Sequence, residues 1–414
     1  MKRVVVTGMG AVTALGDNWP AFAQALKSGT SAIRRLEDWA TYKHLNTNLA
    51  GPIEDFETPA HYPRKKIRSM GRVALLATRA TELALTDAGL LGDPVITSGA
   101  MGIAYGSSTG STDATRDFAV MLHNRDIGGA TATTYIRMMG HTAPVNVGVF
   151  FGLKGRIIPT SSACTSGSQG IGYAYEAIKY GKQLLMAAGG GEELCPSEAA
   201  VFDTLYATST KNDTPNLTPS PFDSGRDGLV IGEGAGTLIL EELEHALTRG
   251  AKIYAELVGF GTNSDGGHVT QPDPATMNIA MQLALDDAGL KPGAIGYINA
   301  HGTATDRGDI AESIATETLF GKRTVPISTL KGNIGHTLGA CGAIEAWASI
   351  QMMNEGWFAP TLNLHTPDPQ CGDLDYIIGS PRTIDCNYIM SNNFAFGGIN
   401  TSLIFKRWTE VGHE

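Results

Sequence analysis

The sequence predicts an α/β protein built from two related halves, each a mixed sheet covered by helices. The first observation behind this is a repeat. Leu83-Ala84-Leu85-Thr86-Asp87-Ala88-Gly89-Leu90 returns as Leu283-Ala284-Leu285-Asp286-Asp287-Ala288-Gly289-Leu290, with one position of the eight changed. Each copy reads as the end of a helix closed by glycine, with a strand-like start before it and an apolar strand after it. The second is the set of 51 glycines, which fall at apparent strand ends and turns without a collagen-like period. The third is composition: 42% hydrophobic against 17% charged residues allows a large buried core and excludes a disordered chain.

The 414 residues exceed one ordinary domain, and the repeat places the division near residue 250, giving halves 1–250 and 251–414. The first half opens on a strand, Arg3 to Val6. Met1-Lys2-Arg3 ahead of an apolar stretch to Leu15 has the outline of a signal peptide, but Gly8, Gly10 and Gly16 punctuate it and a buried strand fits better. The first repeat helix leads to a strand at Met101 to Tyr105. Arg156 to Pro159 reads as another strand, and Ile171, Ala174 and Ile178 then take helical spacing. Residues 208–227 read as a long irregular segment, and residues 261–274, with Gly266, Gly267, Pro272 and Pro274, as a second. The second half opens on a strand at Ile253 to Val258, and its repeat helix leads to a strand at Ile295 to Ala300. No charge block or repetitive linker separates the halves, so they are expected to pack rigidly.

Charge and cysteine content remove whole classes of function. A net charge of −10 argues against wrapping nucleic acid. No apolar run approaches the roughly 20 residues a membrane helix needs, so no membrane insertion is expected. Five scattered cysteines do not form a disulfide framework and suit a reducing compartment, hence the cytoplasm. Cysteines and histidines lack the paired spacing of a zinc site, and the glycines after Gly8-Met9-Gly10 miss the dinucleotide fingerprint. Neither a zinc ion nor a dinucleotide cofactor is therefore expected.

Four segments carry chemistry. Thr160-Ser161-Ser162-Ala163-Cys164-Thr165-Ser166-Gly167 lies between a strand and a helix, where free N–H groups and the helix dipole favour a thiolate. The alternative is a cysteine buried as a small hydrophobe. Asn299-Ala300-His301-Gly302-Thr303-Ala304-Thr305 puts His301 at the exposed C-terminal end of a strand, and Lys331-Gly332-Asn333-Ile334-Gly335-His336 puts His336 in a glycine-rich turn before a helix. Open α/β sheets bind ligands at such strand ends, although a histidine beside glycine also serves as a hydrogen-bonded turn residue. Asn392-Asn393-Phe394-Ala395-Phe396-Gly397-Gly398 is a fourth turn, and a tight hairpin packing Phe394 and Phe396 into core is its plainer reading.

In this order the four segments resemble the β-ketoacyl-acyl-carrier-protein synthases of the elongating, Cys-His-His type. The similarity runs from Val6-Thr7-Gly8-Met9-Gly10 through Phe222-Asp223 and Arg226-Asp227-Gly228 to Ser402-Leu403-Ile404-Phe405. The resemblance implies a thiolase fold, an αβαβα five-layered sandwich of two duplicated halves, and a dimer. It implies that Cys164 takes an acyl group from the phosphopantetheine thioester of an acyl carrier protein. The backbone N–H groups of Cys164 and Phe396 would form the oxyanion hole, and Phe396 would also gate the site. His301 and His336 would bind the malonyl thioester carbonyl, with Lys331 beside them and Glu345 steadying it, a pair that also reads as a structural salt bridge. Thr270, Thr303 and Thr305 would line the pantetheine channel, with Phe202 and Thr109 along the substrate path. Arg64, Lys65, Lys66 and Arg68, with Arg72 nearby, would dock the acidic carrier, although a solvated helix face is the bland alternative.

Some positions depart from a fatty-acid enzyme of this type. Asp306-Arg307 follows the first histidine motif, Tyr206 stands where a basic residue is common, and Thr109 is small and polar where isoleucine guards the acyl pocket. These leave fatty-acid and type II polyketide or polyene pathways both open. A thiolase would want a second cysteine where Asn392 and Asn393 stand, and Cys341, Cys371 and Cys386 read as core or incidental. His336 argues against the Cys-His-Asn initiating synthases, and a Cys-His hydrolase leaves one histidine motif unexplained. The other alternative is a catalytically silent chain-length-factor-like subunit, which the simultaneous presence of Cys164, His301 and His336 opposes. The partner in the dimer is either a second copy or such a factor.

Overall fold

The computed structural model describes residues 1–409. Its frame is a sheet of eleven strands: β1 (Val4–Thr13), β2 (Met101–Gly106), β3 (Ile157–Thr160), β4 (Leu185–Glu192), β5 (Gly234–Glu242), β6 (Ala255–Ser264), β7 (Tyr297–Asn299), β8 (Pro326–Ser328), β9 (Asp375–Tyr376), β10 (Tyr388–Phe394) and β11 (Ile399–Arg407). Their spatial order is β9-β8-β7-β10-β11-β6-β1-β5-β4-β2-β3. Reading outward from the middle, β1-β5-β4-β2-β3 and β6-β11-β10-β7-β8 follow the same path. In both, the first three strands run antiparallel and the rest parallel. The two half-sheets join where β1 pairs antiparallel with β6 at Val4–Leu257, Val5–Glu256 and Val6–Ala255.

The helices complete five layers. α1 (Arg72–Asp87) covers β1 and β5 from outside, and α3 (Pro274–Ala288) covers β6 and β11 in the same way. Between the half-sheets lie α2 (Ser166–Lys179) and, toward the C-terminus, α5 (Cys341–Glu355), which touch each other and both sheets. α4 (Asp306–Phe320) packs on α3 in the outer layer. The central position explains the composition of α5, which is buried on all sides from Cys341 to Ile350 and so has no polar face.

The repeated octapeptide has a packing reason. A Cβ on Gly8 would stand 2.4 Å from the Ala84 carbonyl oxygen and one on Gly10 2.5 Å from that of Ala80. In the second half a Cβ on Gly259 or Gly261 would stand 2.3 Å from Ala284 O or 2.1 Å from Ala280 O. Glycine in the first strand of each half lets the alanine-rich helix lie directly on the sheet. The aspartate of each repeat then caps the arrangement: Met9 N donates to Asp87 at 2.9 Å, and Phe260 N to Asp287 at 3.2 Å. Gly89 and Gly289 close the two helices at φ 67° and 66°.

This packing corrects one expectation. Residues 261–264 are not loop but the last residues of β6, because Gly261 is one of the glycines that seat α3. The irregular segment at 208–227 holds a three-residue helical turn, Pro215–Leu217, and isolated β-bridges at Thr208 and Asp223.

Candidate active site

Cys164 sits in a three-residue 3-10 turn, Ala163–Thr165, between β3 and α2, with Ala163 at φ 50°. A matching turn, Leu338–Ala340 with Leu338 at φ 45°, precedes α5. Positive φ at a residue with a side chain is costly and persists where the surroundings hold it. Here Ser166 Oγ donates to Ala163 O at 2.7 Å and accepts from Ser162 N at 3.0 Å, which locks the first turn.

His336 and His301 close on the thiol. His336 Nε2 lies 3.0 Å from Cys164 Sγ, and the two imidazoles meet edge to face at 5.0 Å. The donor atoms of all three residues lie within 4.8 Å of one another. His336 N donates to Val230 O at 2.7 Å, which fixes the turn, and Leu338 N donates to His336 Nδ1 at 3.2 Å. His301 follows β7 as expected but is buried rather than exposed, because Glu312 on α4 accepts from the N–H groups of His301 and Gly302, both at 2.7 Å, and draws the loop inward. Burial, with Lys331 nearby, holds both histidines well below the ordinary imidazole range and therefore neutral.

His336 Nδ1 faces the Leu338 N–H, and His301 Nδ1 faces Lys331 Nζ and Asn393 Nδ2, each at 3.3 Å, and these donors decide the tautomer. A ring nitrogen that faces an N–H donor carries the lone pair, so the proton lies on Nε2 in both rings, toward the thiol and the cavity. Two Nε2–H groups are hydrogen-bond donors and cannot ligate a metal as they stand, so the three converging atoms do not fit a zinc site.

Burial pushes the Cys164 thiol up to about 11, although Lys331 and the backbone N–H groups of Phe396 and Cys164 act the other way. The cysteine is thus both readings at once, a buried small side chain and the centre of a donor array. Cys341, expected to be core or incidental, is buried at the start of α5 with its thiol 3.2 Å from Cys164 O.

Lys331 and Glu345 form a fully buried ion pair at 2.5 Å. Burial alone would lower the lysine, but Glu345, together with Cys341 and Glu312, keeps Lys331 above its ordinary range. Lys331 Nζ reaches His301 Nδ1 at 3.3 Å, and so does Asn393 Nδ2, which also donates to Glu345 at 2.7 Å. Asn393 belongs to the quoted turn, but nothing local in the sequence links it to a histidine 92 residues away.

A cavity of about 500 Å³ opens above these groups. Cys164, His301, His336, Phe202, Phe396, Thr270, Thr303 and Thr305 line it. Phe202 and Phe396 pack ring to ring at 5.0 Å, and the Thr303 and Thr305 hydroxyls lie 2.8 Å apart. Phe394 and Phe396 both line the cavity, Phe394 buried and Phe396 half-buried. Thr109 is not in the lining, because its hydroxyl lies 2.9 Å from Glu198 and 3.1 Å from Glu192 and is turned to those carboxylates.

Arg64, Lys65, Lys66 and Arg68 are exposed on or beside a short helix, Arg64–Ile67. Lys66 also donates to Phe150 O at 2.6 Å. Arg72 does not join this patch: it is held by Glu233 at 2.7 Å and by Ile53 O at 2.8 Å. Among the described residues no helix is long and apolar enough to cross a membrane.

Residues 1–246 match the beta-ketoacyl synthase N-terminal domain and residues 254–365 the C-terminal domain. The chain is 37% identical to 3-oxoacyl-[acyl-carrier-protein] synthase 2 of Synechocystis over 98% of both chains. A crystal structure of a beta-ketoacyl synthase from Burkholderia phymatum is 62% identical, covers 99% of this chain and all of its own, and superposes with a TM-score of 0.98. The ishigamide ketosynthase/chain length factor is 29% identical over 99% of this chain, with a TM-score of 0.90. The five layers are those of the thiolase fold, and with both domain models in sequence order and full-length relatives above a third identity, the chain belongs to the beta-ketoacyl synthase family.

Proposed function

We propose that the protein is a 3-oxoacyl-[acyl-carrier-protein] synthase, elongating a fatty-acid or type II polyketide chain by decarboxylative condensation. The observation that carries this is the convergence of one thiol and two Nε2–H donors on the wall of one cavity. The names of the full-length relatives support it.

Cys164 first exchanges its S–H for the acyl group of a carrier thioester, releasing the carrier thiol. The tetrahedral oxyanion of that step lies against the N–H groups of Cys164 and Phe396, which already face the sulfur. Malonyl-carrier then enters along Thr270, Thr303 and Thr305, past Phe202 and Phe396. Its terminal carbon–carbon bond breaks, carbon dioxide leaves, and the electron pair moves onto the thioester oxygen held by His301 and His336. Neutral imidazoles suit this task, since a donor is needed and no proton has to be removed from carbon. The enolate carbon attacks the acyl carbonyl, and Sγ departs as the 3-oxoacyl carrier forms. Lys331 and Glu345 support His301 without exchanging protons with substrate.

The substrates arrive on phosphopantetheine, and no other cofactor has a role. The carrier docks at Arg64, Lys65, Lys66 and Arg68, the working unit is a dimer with a second copy or a chain-length factor, and the compartment is the cytoplasm. The duplicated halves meet near residue 250. Intact-protein mass spectrometry with malonyl-carrier and a panel of acyl-carriers tests the proposal. Acylation lost in Cys164→Ala and a 3-oxo product in wild type are expected. No acylation with any carrier, alone or with candidate partner subunits, would overturn it.

A further inference from the structure

Lys331 and Asn393 converge on one atom, His301 Nδ1, each at 3.3 Å. Both also donate to the same carboxylate, Lys331 to Glu345 Oε1 at 2.5 Å and Asn393 to Oε2 at 2.7 Å. The four side chains close a hydrogen-bonded ring in which none is more than 5% exposed. The amide orientation follows from Glu345, because a carboxylate oxygen at 2.7 Å needs a donor and would repel Oδ1. One N–H is thereby committed to Glu345, and the other is left for His301 Nδ1 at 3.3 Å, with the Cys341 thiol farther off at 3.6 Å. Asn393 Oδ1 is buried without a partner, so the site uses this residue for its donors alone.

We infer that Asn393 is a positioning residue for the condensation: together with Lys331 it occupies the lone pair of His301 Nδ1 and so keeps the ring proton on Nε2, facing the cavity. The inference rests on the reading above, in which that Nε2–H binds the malonyl thioester oxygen. Lys331 does not suffice alone. Without Asn393, Glu345 loses its 2.7 Å amide donor and keeps Lys331 and Asn299, and the mobile ammonium is drawn toward the carboxylate and away from the imidazole. An Nδ1 without donors lets the proton settle there, and the Nε2 then meets the substrate oxygen with a lone pair.

The test uses full-length protein labelled with nitrogen-15 histidine, with the His301 signals assigned by their loss in His301→Ala. Wild type is expected to show the Nε2–H tautomer, and Asn393→Leu a mixture with a substantial Nδ1–H fraction. Asn393→Ala is the second variant, should leucine prevent folding. In parallel, malonyl-carrier decarboxylation and acylation of Cys164 are followed separately. Their ratio is expected to fall about tenfold or more in the variant, the scale of one lost buried hydrogen bond. The tautomer decides: an unchanged Nε2–H signal in the folded variants overturns the assignment whatever the rates do. If wild type performs neither half-reaction, the ketosynthase reading falls instead, while the tautomer measurement still judges Asn393.

Discussion

Replacing Glu345 by alanine removes the carboxylate from the most enclosed ion pair of the site. Lys331 and Glu345 meet at 2.5 Å with side chains 1% and 2% exposed, so water cannot solvate the ammonium that remains. The neighbours compensate little: Asn393 and His301 present a donor amide and a neutral ring, and the Glu312 carboxylate, which also acts on Lys331, is already engaged by the N–H groups of His301 and Gly302. Breaking a buried pair by deleting one partner costs about 3–5 kcal/mol, because it strands a charge. With an unfolding entropy of about 0.9 kcal/mol per kelvin for a chain of this length, Tm should drop by about 3–6 °C. Scanning calorimetry at fixed protein concentration measures it, fixed because dimerisation would otherwise shift the value. The double variant Lys331→Met, Glu345→Leu removes both charges and should recover at least half of the loss while remaining inactive. A loss below about 1 kcal/mol for Glu345→Ala, or a double variant no better than the single one, would refute the argument that stranded charge is the cause.

Because burial raises the Cys164 thiol from 9.0 to about 11, its thiolate fraction should keep rising roughly tenfold per pH unit across the neutral and mildly alkaline range. The rate of iodoacetamide alkylation at Cys164 measures this, and a plateau near pH 8 would contradict it. Gly261→Ala places a Cβ 2.1 Å from Ala280 O and should cost about 1–3 kcal/mol by urea denaturation. Gly293→Ala, with nothing within 4 Å, should leave the midpoint unchanged. Reversing Arg64, Lys65 and Arg68 to glutamate should weaken carrier binding about tenfold at low ionic strength, measured by surface plasmon resonance, and the difference should shrink as salt is added.

What the sequence revealed follows the range of the interactions involved. The Cys164 turn, the strands leading to His301 and the repeat helices are set by neighbours along the chain, and they were legible as such. The repeat also foretold two half-sheets with one path, since each copy needs the same glycine seat. Contacts between distant residues were not legible. Arg72 looked like part of a basic run, yet Glu233, 161 residues away, claims it. The exposure expected for His301 failed because Glu312 draws the loop inward, and two backbone N–H groups donating to a buried carboxylate leave no local signature. Asn393 was visible as a letter in a motif and Cys341 as a core residue, but their contacts depend on how distant elements meet.

The two 3-10 turns bear on the history of the molecule. A frame that repeats itself offers two equivalent elbows, and Gly339 occupies in the second the place Cys164 occupies in the first. A thiol at both would give two competing chambers in one chain. Instead Gly339 gives its N–H to Glu192 at 3.0 Å, behind the first elbow, while the segment ahead of it delivers His336 to the sulfur. One half holds the thiol and the other delivers a histidine to it, so neither could be removed or exchanged without dismantling the single site they share.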